Sequence, residues 1–89
     1  MSDVIFSRHA LEQLADRGAT QEEVVKAVQE GERVPAKVGR LAFRKNFPYE
    51  EKWKNKYYEI KQVMPIVVEE GGKFVVITVY VFYFGGEGK

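Results

Sequence analysis

The run Phe74-Val75-Val76-Ile77-Thr78-Val79-Tyr80-Val81-Phe82-Tyr83-Phe84 constrains the fold more than any other feature of this chain. It is β-branched and aromatic on both alternating faces, which reads as a strand buried on two sides. Eleven residues are also too few to cross a bilayer as a helix. The run is therefore expected as the central strand of a sheet. Glu70-Gly71-Gly72-Lys73, directly before it, is a hairpin turn signal. The β-rich stretch from Tyr57 to Val68 that leads into this turn is interrupted by Pro65, which cannot donate to a ladder and marks an edge, a bulge or a break in pairing. Further upstream, Leu41, Phe43 and Phe47 alternate with Arg40, Ala42, Arg44 and Asn46, as a half-buried strand should. Residues 47–56, with Pro48, two glutamates and three lysines around Trp53, read as a polar loop.

The first 32 residues have a different period. Ser7 is a good N-cap, Ala10, Leu11 and Leu14 form one apolar stripe, and Gly18 stops the run. Thr20-Gln21-Glu22-Glu23 is a capping box, and Val24, Val25, Ala27 and Val28 supply a second stripe that ends at Gly31. Two short helices joined at Gly18-Ala19 result. Val4-Ile5-Phe6 suits either a short strand or a hydrophobic staple onto the first helix.

The architecture expected from these elements is α+β: a two-helix hairpin on one face of a three- to four-stranded antiparallel sheet. Residues 1–84 form one domain and residues 85–89, Gly-Gly-Glu-Gly-Lys, a flexible tail. The helices cover only one face of the last strand. Its other face, bearing either Thr78, Tyr80 and Phe82 or Val79, Val81 and Tyr83, needs a partner, a second subunit or a ligand groove.

Composition narrows the chemistry. At 89 residues the chain hides about 60–65% of its unfolded surface, so a surface groove is expected rather than an enclosed cavity. The absence of cysteine excludes disulfides, thiol nucleophiles and thiolate metal sites, and suits a reducing cytoplasm. The N-terminal stretch MSDVIFSRHA has no basic segment followed by an apolar run, so no signal peptide is expected. Net charge is +1, but residues 33–61 carry nine basic side chains against three acidic ones. That segment can attract phosphates locally, or it can simply solubilise strands and a loop. One histidine and adjacent carboxylate pairs make a poor metal set, so neither metal nor cofactor is expected. Only two serines are present and Ser7 is used as a cap, and no glycine-rich phosphate loop follows a strand.

Chemistry built on cations, an imidazole and a phenol remains. His9 lies in the first turn of a helix, where the macrodipole disfavours imidazolium, and Arg17 lies toward the apolar edge of the same helix. Metal-free RNA cleavage needs a base for the 2′-hydroxyl, cations at the phosphorane and an acid for the leaving 5′-oxygen. His9 or Tyr80 could move the proton, while Arg44 and Lys61 on neighbouring strands could bind phosphate. Phe47, Trp53, Tyr57 or Tyr58 could stack an unpaired base. Each of these residues also has a plain structural use in a cap, an ion pair or the core.

Ser7-Arg8-His9-Ala10, then Arg17-Gly18, Thr20 to Glu23, Glu30-Gly31 and the strand Val76-Ile77-Thr78-Val79-Tyr80 resemble the bacterial domain-of-unknown-function family numbered 4258. Ala42 to Pro48 and Gln62 to Val68 resemble a subgroup of it. The resemblance implies a layout similar to the RelE/ParE-like and barnase-like RNA-cleaving toxins, and a metal-independent toxin-type endoribonuclease. By matching position it implies functional roles for His9, Arg17 and Tyr80. The implied partners are RNA and an antitoxin-like protein. A non-catalytic interaction or dimerisation domain, using the apolar last strand, is the competing expectation, as is a nucleic-acid-binding module without catalysis. No membrane partner is expected.

Overall fold

Ser7 and Thr20 start the two helices as expected. In the computed structural model, which describes residues 3–85, the Ser7 hydroxyl accepts from the Ala10 N–H, and Thr20 and Glu23 form the reciprocal capping box. These caps define α1 (Arg8–Arg17) and α2 (Gln21–Glu30). Five strands accompany them: β1 (Asp3–Phe6), β2 (Glu32–Val34), β3 (Leu41–Trp53), β4 (Lys56–Glu70) and β5 (Lys73–Phe84). They make one sheet in the order β1-β5-β4-β3-β2.

This sheet corrects the expected three- to four-stranded antiparallel one. It has five strands and is mixed, because β1 pairs in parallel with β5 from Asp3↔Lys73 to Phe6↔Val76. The purely antiparallel arrangement is overturned by that pairing. Parallel neighbours need a long connection, which the two helices and the β2–β4 meander supply. The central strand is consequently β4, and β5 lies next to the edge. Beyond Val76 the outer side of β5 has no strand partner among the described residues.

Two further expectations change at the element level. Residues 47–56 are not a loop: β3 runs on to Trp53 and turns through Lys54 (φ 53°) and Asn55 (φ 71°), closing on Lys56. Two consecutive positive φ values define a type I′ hairpin, whose twist matches that of long strands. Pro65 lies in the central strand. The β3–β4 pairs reach Ala42↔Ile66 and resume at Lys45↔Val63, so the missing donor falls in an interruption of the ladder.

The core lies between the helices and one sheet face. Ala10, Leu14, Val24 and Val28 pack there on Val63, Val67, Val76 and Val79. Most of these are small or β-branched, so two ten-residue helices approach the pleated surface closely. Tyr49, Trp53, Tyr58 and Tyr83 extend this layer, with Trp53 stacked on Tyr83 at 5.1 Å between ring centroids. The opposite face carries no helix among the described residues. The segment after β2, residues 35–40, forms an exposed flap that lines a groove at this face, and Ala42 is buried there. No helix among the described residues is long and apolar enough to cross a membrane. The tail expected at residues 85–89 lies, from residue 86 onward, outside the described residues.

Candidate functional site

Alternation along β5 sends Val79, Val81 and Tyr83 toward the helices and Tyr80, Phe82 and Phe84 to the open face. The last three remain 40–44% exposed, an apolar stripe on a small protein. On β4 the residues directly opposite are Met64, Gln62 and Ile60. Toward β3 and β2 the face becomes polar, where Gln62 donates to Asn46 and Arg44 pairs with Glu32 at 3.1 Å.

At the outer edge of β5, α1 closes one backbone position with side chains. The Val79 N–H and the Thr78 hydroxyl both donate to Gln13 Oε1, at 2.8 and 3.1 Å. The Val79 carbonyl accepts from Arg17 Nη1 at 2.6 Å. Arg17 thus passes around the strand edge, and its guanidinium sits 5.5 Å from the centre of the Tyr80 ring. Phe82 stacks on Tyr80 at 6.5 Å with an interplanar angle of 18°. A guanidinium has five N–H donors, so this arrangement leaves donors of Arg17 for an anion beside a phenol. A recess of about 230 Å³ opens there, lined by Asp16, Arg17, Trp53, Lys54, Tyr80 and Val81.

The structure therefore brings Arg17 and Tyr80 together. His9 stands exposed in the first turn of α1, eight residues before Arg17, which is about 12 Å along a helix axis. Arg44 is on the open face, ion-paired with Glu32. Lys61 is on the opposite, helix-covered side and only 5% exposed. Its ammonium donates to the Gly18 carbonyl at 2.9 Å, pairs with Glu23 at 2.8 Å and lies 5.4 Å from the Tyr49 ring centre. These contacts tie the turn between the helices to the sheet.

The stacking candidates divide in the same way. Trp53 and Tyr58 pack on Tyr83, Phe47 packs against the core under Lys45, and Tyr57 stays 38% exposed. The Tyr83 hydroxyl donates to the Arg17 carbonyl at 2.7 Å. Burial, with smaller contributions from Tyr49 and Glu23, pushes its pKa up to about 12. Tyr83 is thereby held as a neutral strut beneath the Arg17 turn.

Sequence reasoning did not single out Lys37 and Arg40 of the flap, or Gln13 of α1. The flap has no periodicity to read. Its one usable signal was Pro35 and Gly39 bracketing Lys37 within the basic segment.

Comparison with known protein families, with curated proteins and with solved structures found no match to the chain or its fold.

Proposed function

We propose that the protein is an RNA-binding domain of the metal-independent, toxin-type endoribonuclease class, with the open sheet face as its RNA surface. The observation that carries this reading is the Arg17–Tyr80 pair, a guanidinium and a phenol held together at the rim of an exposed aromatic stripe. In this scheme Arg17 neutralises the charge that builds on the phosphorane, and the Tyr80 hydroxyl gives its proton to the leaving 5′-oxygen. The 2′-hydroxyl attacks the adjacent phosphorus and loses its proton to water, since His9 stands a helix length away. The products are a 2′,3′-cyclic phosphate and a free 5′-hydroxyl.

The test is cleavage of end-labelled single-stranded RNA, free and ribosome-bound, in the presence of a chelator. Wild type should leave a cyclic phosphate. Arg17→Ala should lose roughly 10²–10³ in rate and Tyr80→Phe roughly 10²–10⁴, while His9→Ala keeps most of the activity. Cleavage that depends on His9 and ignores Tyr80 would refute the assignment of roles. No cleavage of either substrate by well-folded wild type would refute the enzymatic reading.

A second reading is favoured by a separate observation. Val81 and Tyr83 turn backbone N–H and C=O groups toward an edge that has no strand beside it among the described residues. An added strand from a protein partner or a second copy fits such an edge. Sedimentation velocity over a concentration series distinguishes self-association from a monomer.

A further inference from the structure

The flap of residues 35–40 lines one side of a groove of about 450 Å³ that shares only Tyr80 with the edge recess. We propose that this groove takes one unpaired nucleobase, with the attached phosphate held by Lys37 and Arg40. The inference rests on the RNA-binding reading above and names the part of the ligand that enters the fold.

Three features of the groove argue for that occupant. The floor is apolar, built from Ala42, Met64 and Ile66, while one wall is Tyr80, backed by Phe82. A groove that offers apolar side chains and an aromatic ring suits the face of a base, and its volume is within the range of small-molecule sites. The rim is basic, since Lys37 and Arg40 are both exposed and line the opening. An apolar peptide side chain would leave that charge unanswered, whereas a nucleotide presents a phosphate next to its ring. Thr78 adds polarity. Its hydroxyl hydrogen is committed to Gln13 Oε1, so toward the groove it can only accept. The base edge it meets must therefore offer a donor, such as the amino group of adenine, cytosine or guanine. Tyr80 is shared between this groove and the recess that holds Arg17. A base beside the flap would thus place its neighbouring phosphate near the guanidinium.

The first experiment is titration of isotopically labelled protein with adenosine monophosphate, followed by amide chemical shifts. Shifts centred on residues 36–42 and 77–80, abolished in Lys37→Glu/Arg40→Glu, are expected. These two side chains are exposed, so the variant should keep the wild-type spectrum elsewhere. Purine riboside monophosphate, which lacks the amino group, should bind more weakly. In a companion measurement, a short labelled RNA should bind Tyr80→Ala roughly 5- to 150-fold more weakly than wild type. Shifts confined to residues near Asp16 and Lys54, equal binding of ribose 5-phosphate, or shifts that follow protein concentration alone would overturn the base site. The last of these would show a second copy covering the face. RNA binding that persists, with no response to the mononucleotide and no cost from an abasic position, would overturn the groove assignment while sparing the RNA reading. Loss of both would overturn the two together.

Discussion

Gly18 shows how much one residue can carry. Its φ of 78° ends α1 in the left-handed region, and a Cβ there would stand 2.5 Å from the Tyr83 hydroxyl and 2.7 Å from the Trp53 ring. Gly18→Ala is expected to cost at least about 1–3 kcal/mol from the backbone conformation alone, read by chemical denaturation. Lys61 carries a comparable load. Replacing it with Met strands Glu23 and the Gly18 carbonyl, and a loss of roughly 1.5–3 kcal/mol is expected by the same measurement. Tyr83 makes stability depend on alkaline pH. Its pKa is raised from 10.0 to about 12 in the folded protein, so the folded state holds a proton that the unfolded chain releases. The stabilisation is complete below pH 10 and is lost as pH rises to about 12, which a series of thermal melts across that window should show as a falling Tm. Gly18 was readable in the sequence as a helix stop. The contacts of Lys61 were not, because a lysine on a strand reads as a solvated charge until a helix turn is laid over it.

Among the elements, the upper half of β5 is the most exposed to misassociation. Gln13 and Arg17 occupy the outward-facing backbone position at Val79, and they act as a side-chain substitute for a sixth strand. Gln13→Ala frees the Val79 N–H and is expected to give concentration-dependent association, seen as a rising weight-average mass in sedimentation velocity. Wild type under the same conditions should associate less. Alternation and turn chemistry made β4, β5 and the helices readable from residues alone. They missed the continuation of β3, since Pro48, Glu50, Glu51 and three lysines mask a strand whose irregularity is a bulge between Pro48 and Glu51. Glu50 absorbs that irregularity with a φ of 51°.

At the scale of the whole molecule, the fold is long and narrow, 46 × 23 × 23 Å, because three strands of 12 to 15 residues outrun two helices of 10. The aromatic layer around Tyr83 covers the excess on one side, and among the described residues nothing equivalent covers the other. If RNA lies along that open face, Arg17, Lys37 and Arg40 would meet about three phosphates. The logarithm of affinity should then fall with the logarithm of salt concentration with a slope of roughly −2, measured by fluorescence anisotropy. A slope near zero would argue for a protein or second-copy occupant. The sequence by itself determined the two capped helices, the Gly71-Gly72 hairpin and a long β-branched and aromatic last strand, because caps, turns and periodicity are local and act within a few residues. Tertiary structure alone decided that β1 returns parallel to β5, that β4 takes the centre, and that Arg17 meets Tyr80 while His9 and Lys61 do not join them. These depend on contacts between residues tens of positions apart, where strand order and the path of a side chain around an edge are set by packing and leave no local pattern to read.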